Sequence, residues 1–105
     1  MDQRGLVAKT ILHQLGGAPK LKAMIGANTF ILGDSTLSFR LPGGGGFAKN
    51  GINTVVITLL PSDTYKVAFY RRRGFQTALV SVFFDIYEDV LKSFVEEQLG
   101  LKLSL

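Results

Sequence analysis

Apolar residues near the start of the chain recur at the three- and four-residue spacing of a helix. They predict one amphipathic helix from Arg4 to Leu15, with its inner face formed by Val7, Ala8, Ile11, Leu12 and Leu15. Gly16 and Gly17 should end this helix, because glycine tolerates the left-handed backbone of a C-terminal cap. Pro19 can then open a short second helix that Gly26 ends.

After Asn28 the spacing between apolar residues changes from three or four residues, as in a helix, to two residues, as in a strand. "TFIL" and "TLSFRL" flank a "GDS" turn and predict a β-hairpin, in which Leu37, Phe39 and Leu41 point one way. "INTVVITLL" and "TYKVAFYR" flank "PSD" as a second antiparallel pair, and "FQTALVSVFF" forms the last strand of the meander. Val67 and Phe69 should face the core, whereas Lys66, Ala68, Tyr70 and Arg72 should face away.

A second long amphipathic pattern follows the last strand. Asp85 and Glu88 have the spacing of a capping box, so we expect the final helix to start there and to end at Gly100. Its predicted buried stripe consists of Ile86, Tyr87, Val90, Leu91, Phe94, Val95 and Leu99.

These elements predict an α+β fold in one domain covering residues 1–105. We expect a four-stranded antiparallel sheet, a meander, with one face packed by the N-terminal and C-terminal helices, since both helices have an apolar stripe to bury. The other face of the sheet should be open to solvent.

Composition narrows the class of protein. Apolar residues make up 47% of the chain and charged residues 19%, which is typical of an ordered core. Because there is no cysteine, disulfides, thiolate nucleophiles and iron–sulfur clusters are excluded. No segment approaches the 18 apolar residues of a membrane span, so we expect a soluble, cytoplasmic protein that does not bind membranes.

The net charge of +4 is concentrated in the middle of the sequence, where "YRRRGF" places three arginines between two strand-like runs. On the open sheet face, arginine can pair with phosphate and tyrosine can stack on a base, a combination that favours single-stranded nucleic acid. The candidate binding residues are Arg40, Lys66, Tyr70, Arg71, Arg72 and Arg73. A solvated strand face with no ligand uses the same residue types, and a helix-turn-helix over residues 4–25 ranks lower because its second helix is short and apolar.

A protein-interaction module is the alternative function. Tyrosine and arginine are enriched at the centres of interfaces, and exposed strand edges can pair with another copy or with a partner's strand. Homo-oligomerisation and binding of a host factor therefore both stay open.

Enzymatic motifs are not evident. Gly43–Ala48 matches the letters of a dinucleotide fingerprint, but the run leads into a strand, whereas the fingerprint requires a helix. The interpretation that remains is a flexible loop at Gly43–Gly46. His13 has no second ligand at helical spacing, and no paired carboxylates are arranged for acid–base chemistry. We therefore expect a non-catalytic protein without a metal or cofactor.

Several blocks resemble a family of small uncharacterised proteins of tailed bacteriophages and prophages. They run in collinear order over most of the chain: "ILHQLGG", "AMIGANTF", "TLSFRLP", "VVITL", "TYKVAFYR" and "DIYEDVLKSFVEEQLGL". The resemblance implies a role in the cytoplasm of an infected bacterium and carries over no binding residues. Where the family tends to have a polar, basic loop after "LP", this chain has four glycines.

Overall fold

A computed structural model describes residues 5–42 and 48–103. Within them lie three α-helices: α1 (Leu6–Gln14), α2 (Ala18–Ile25) and α3 (Glu88–Leu99). The strands are β1 (Asn28–Leu32), β2 (Thr36–Arg40), β3 (Thr54–Leu59), β4 (Tyr65–Arg73) and β5 (Gln76–Ile86), with a short 3₁₀ turn at Lys49–Gly51. None of the helices in these residues is both long and apolar enough to cross a bilayer.

The sheet is an antiparallel meander in the order β1-β2-β3-β4-β5. The predicted α+β class and antiparallel sheet are confirmed, but the predicted count of four strands is wrong, since the sheet has five. Both arms of the first hairpin are full strands: β1 pairs with β2 despite an irregularity between Asn28 and Ile31 that offsets its register. The sequence had indicated "TFIL" as an arm of this hairpin, so the predicted count omitted one of the strand-like runs.

One face of the sheet is fully buried, and it is the face that strand alternation predicts. Its side chains from the three central strands are all 0% exposed: Leu37, Phe39, Val55, Ile57, Val67 and Phe69. The helices cover this face with their own buried residues: Ala8, Ile11, Leu21, Leu91, Val95 and Leu99. Burying one such side chain contributes about 1.5–3 kcal/mol, so this layer sets the strand register.

Three phenylalanines connect β4, β5 and α3. The Phe69 ring lies 6.3 Å from that of Phe83 and 6.4 Å from that of Phe94, centroid to centroid. Phe83 and Phe94 meet edge to face at 5.0 Å. Each such aromatic pair adds about 0.5–1.5 kcal/mol beyond the area it buries. The cluster therefore fixes α3 against the last two strands.

The predicted glycine caps are confirmed. Gly26 and Gly100 end α2 and α3 with φ of 70° and 71°, in the left-handed region that glycine reaches without strain. At Gly26 space is also restricted, because a Cβ there would lie 2.9 Å from Pro42. The first helix begins at Leu6, two residues after the predicted Arg4, which lies outside the described residues.

The predicted start of the last helix is wrong. Asp85 belongs to β5, has a φ of 60° and accepts a 3.3 Å hydrogen bond from Thr64, while Tyr87 is the N-cap and makes no side-chain cap bond. Since α3 starts later than the capping-box spacing implied, Tyr87 and Val90 lie outside its buried stripe and are 63% and 45% exposed.

The aromatic cluster yields a stability prediction. Phe69→Ala should lower the free energy of unfolding by about 3–5 kcal/mol, because it removes a fully buried ring and leaves a cavity. Phe75→Ala is the matched control: that ring is fully exposed, and its loss should change the free energy by less than about 0.5 kcal/mol. Urea titration followed by circular dichroism measures both, and equal effects would contradict the core described here.

Candidate nucleic-acid interface

The open face of the sheet brings part of the predicted binding set together. Arg40 of β2 pairs with Thr54 of β3, and Thr54 pairs with Tyr70 of β4, so the three side chains form one row across the sheet. With strands about 4.8 Å apart, Arg40 and Tyr70 are separated by about 10 Å at the backbone. Tyr70 is half-buried, which leaves part of its ring available for contact.

Arg40 and Arg72 line one polar cleft beside this row. The cleft has a volume of about 340 Å³, and its polar lining includes Asn28, Asn53 and Thr54. Neither guanidinium forms an ion pair with a side chain in residues 5–42 or 48–103. Two unpaired guanidiniums on one cleft suit a phosphate group, because each can donate two parallel hydrogen bonds to its oxygens.

Lys66 lies apart from the cleft. It shares the open face with Tyr70 but sits four residues earlier in β4, a separation of about 13 Å. Its Nζ is 5.6 Å from the centroid of the Phe84 ring, within the range of a cation–π contact. The structure therefore groups Arg40, Tyr70 and Arg72 and places Lys66 at the other end of the sheet.

The three consecutive arginines divide between the two faces of β4. Arg72 shares the face of Tyr70, whereas Arg71 and Arg73 alternate to the other side. On that side the stem of Arg71 lies over Gly51, where an added Cβ would be 3.1 Å from its Cδ. Alternation within a strand thus prevents the three guanidiniums from forming one patch.

Beyond Tyr70, strands β4 and β5 continue as a two-stranded arm. Residues 71–78, here called the hairpin arm, are all exposed and pair only with each other, from Arg71–Ala78 to Arg73–Gln76. Gly74 and Phe75 form the turn, with a φ of 58° at Gly74. Residue 75 is therefore the tip of the arm; the sequence interpretation had placed it in the last strand.

Asn53 holds the base of the hairpin arm. Its Nδ2 donates to the carbonyl of Arg72 at 2.7 Å, and its Oδ1 accepts from the Arg72 N–H at 2.8 Å. β3 begins at Thr54, opposite Tyr70, so Arg72 has no backbone partner in β3, and the side-chain amide of Asn53 takes the place of that partner. This bond pair positions Arg72 beside the cleft.

Sequence reasoning missed an apolar patch on the same open face. Ile31, Leu79 and Phe84 are 56–58% exposed there, next to half-buried Val56 and Val82. Leu79 pairs with Tyr70, but a register shift between the Phe69 and Tyr70 pairs interrupts the alternation of β5. Because of that bulge, simple period-two counting cannot tell which side chains of β5 face outward.

Two other sequence features were considered as ligand sites, the Gly43–Gly46 loop and His13. The Gly43–Gly46 loop lies outside the described residues, so its role stays a prediction. His13 is exposed on α1, and no group of three or more potential metal ligands converges within residues 5–42 and 48–103.

Asn53→Ala should loosen the hairpin arm. Loss of both side-chain bonds removes about 1–3 kcal/mol locally, so the Arg72 amide should exchange with solvent faster. Asn53→Asp is the matched control, because it keeps the oxygen that accepts from this amide. Hydrogen exchange followed by NMR tests the difference, and unchanged protection of the Arg72 amide in Asn53→Ala would contradict the assigned role.

Comparisons with known proteins assign no family to the chain. No family model matches it, and neither a curated protein nor a solved structure does.

Proposed function

We propose that the protein binds single-stranded nucleic acid on its open sheet face, with no catalytic step. The observation that carries this proposal is the pair of guanidiniums of Arg40 and Arg72, which form no ion pair with described side chains, on one polar cleft beside the half-buried Tyr70. Phosphate would bind between the two arginines, and the adjacent base would stack on the tyrosine.

The residues next to the cleft favour binding of single-stranded over double-stranded nucleic acid. Leu79 lies directly across from Tyr70 and extends its apolar surface, and the hydroxyl of Thr54 lies between Tyr70 and Arg40. Splayed-out bases present their apolar faces, which such a surface can cover, whereas the bases of a duplex stay stacked inside it. Lys66 is too far from the cleft to contact the same nucleotide, so its contribution is limited to a neighbouring phosphate.

A protein-interaction module is the second candidate function. The apolar patch formed by Ile31, Leu79 and Phe84 favours it, because monomeric proteins seldom expose several large apolar side chains on one surface. The resemblance to small tailed-phage proteins remains a hypothesis under either function. It would place the partner in the bacterial cytoplasm.

Binding should be strongest at low salt and should weaken as salt rises. Fluorescence anisotropy with labelled single-stranded DNA and RNA measures it. Arg40→Ala and Arg72→Ala should each reduce affinity and lower the slope of log K against log salt by about 0.7, the value for one lost phosphate contact. Lys9→Ala is the matched control, since it removes the same charge from an exposed position on α1 and should change affinity much less.

Stacking is tested separately from charge. Tyr70→Ala should weaken binding by about 1–3 kcal/mol and leave the salt slope unchanged, because it removes an aromatic face and no cation. Tyr70→Phe should retain most of the affinity. Absence of binding at low salt, or equal losses in the cleft variants and Lys9→Ala, would reject the proposal.

A further inference from the structure

A second and larger cleft lies at the opposite end of the sheet from the hairpin arm. It has a volume of about 840 Å³ and is formed by the first turn of α1, the turn between β3 and β4, and the start of α3. Its volume is within the range of ligand-binding sites in proteins. We call it the acidic cleft.

The acidic cleft is lined by apolar side chains and by carboxylates. Leu6 and Tyr87 are 57% and 63% exposed, and both line it. Asp63, Glu88 and Asp89 supply three carboxylates, and no lysine, arginine or histidine is among the described residues that line the cleft. The site thus offers negative charge around uncovered apolar surface.

The α3 helix explains only part of this arrangement. Glu88 and Asp89 lie in its first turn, where carboxylates interact favourably with the helix dipole, and Glu88 also accepts a 3.1 Å bond from the Gln14 amide. Neither effect accounts for Asp63 on the facing turn or for the exposure of Leu6 and Tyr87. A ligand with both cationic and aromatic character would use all of these groups.

The hairpin arm has the complementary chemistry. Its exposed residues include three arginines and no acidic side chain, and its tip carries the fully exposed Phe75. An exposed phenylalanine at the end of a projecting two-stranded ribbon contributes nothing to the core. It does form a compact apolar anchor surrounded by positive charge, the type of side chain that dominates binding energy when a pocket covers it.

The arm cannot reach the acidic cleft of its own chain. The cleft is at the start of β4 and the arm at its end, about 30 Å away along the strand. The longest dimension of the molecule is 40 Å, so the two features occupy opposite ends. Contact between them requires a second molecule.

We propose that the acidic cleft receives the hairpin arm of a second copy of this chain. Phe75 of one copy would lie against Leu6 and Tyr87 of the other, with Arg71 and Arg73 beside the carboxylates of the cleft. The contact joins two different surfaces, so it either closes reciprocally into a dimer or continues into larger assemblies.

This inference goes beyond the proposed function and does not depend on it. Nucleic-acid binding uses Arg40, Tyr70 and Arg72 on the open face, whereas the pairing uses the tip of the arm and the two arginines on its other side. Variants can therefore separate the two. Arg40→Ala should weaken nucleic-acid binding and leave self-association unchanged.

Sedimentation velocity on the nuclease-treated chain of residues 1–105 tests the pairing. The wild-type protein should show concentration-dependent species heavier than a monomer at about 0.05 M salt, and less of them at about 0.5 M, because exposed charges are screened. Phe75→Ala should weaken self-association by about tenfold or more. Leu32→Ala, which truncates an exposed apolar residue outside the arm, the acidic cleft and the apolar patch, is the matched control and should have no effect.

A charge exchange gives the most specific test. One variant carries Arg71→Glu with Arg73→Glu, and the other carries Glu88→Lys with Asp89→Lys. Each alone should be monomeric, because its arm and its cleft have the same sign of charge. Their mixture should associate, because each arm then meets a cleft of opposite charge. Should the double cleft variant fail to fold by circular dichroism, Asp89→Lys alone replaces it and should weaken self-association.

The outcomes are decisive in both directions. Recovery of association in the mixture supports the pairing. A wild-type chain that stays monomeric at low salt overturns it, as does an assembly that Phe75→Ala and the charge variants leave intact. Loss of nucleic-acid binding in the arm variants with unchanged association would also overturn it and assign the arm to nucleic acid.

Discussion

The burial of Phe69 beneath the helices determines which face of the sheet each of the remaining side chains of β4 lies on. Its ring packs between Phe83 of β5 and Phe94 of α3 and is completely covered. Because side chains in a strand alternate, a slip by one residue would bury Tyr70 and Arg72 and expose Val67 and Phe69. The apolar layer prevents this, so a core contact fixes which arginine faces the open surface and which faces the other side.

The basic and the acidic surface groups of the molecule lie at opposite ends of the sheet. One end carries Arg40, the polar cleft and the hairpin arm, and the other carries the acidic cleft. Two local features maintain this separation. Asn53 holds β4 by hydrogen bonds at Arg72, beyond the first residue of β3, and the turn between β3 and β4 brings Asp63 toward the start of α3. A net charge of +4 conceals this distribution, since it sums both ends.

The sequence predicts those parts of the structure where one signal dominates. Alternation in β2 and β4 identified the buried face correctly, because apolar burial outweighs every surface interaction in those strands. Glycines at positions 26 and 100 marked the helix ends correctly, since few other residues tolerate a φ near 70°. These signals are local, so they can be recognised in the sequence without knowing which distant residues are in contact.

Prediction failed where a local signal competed with a distant partner. The spacing of Asp85 and Glu88 resembles a capping box, but Thr64 from the neighbouring turn binds Asp85, which stays in β5. Likewise, a bulge in β5 places Leu79 across from Tyr70, and no feature of the "FQTALVSVFF" run shows that shift. The open face was therefore expected to be polar and basic, whereas it also carries the exposed apolar side chains of Ile31, Leu79 and Phe84.

The same bulge affects whether one molecule can bind nucleic acid on its open face and pair through its hairpin arm at the same time. It lies where the sheet gives way to the hairpin arm, and bulges increase the local twist of a strand pair. Arg71 and Arg73 therefore point away from the open face along an arm that is itself turned relative to the sheet. If an arm enters the acidic cleft of a second copy, Arg72 remains on the side of Arg40 and Tyr70. Self-association would then place several open faces in one assembly and, under the proposed function, raise their effective concentration for a common strand.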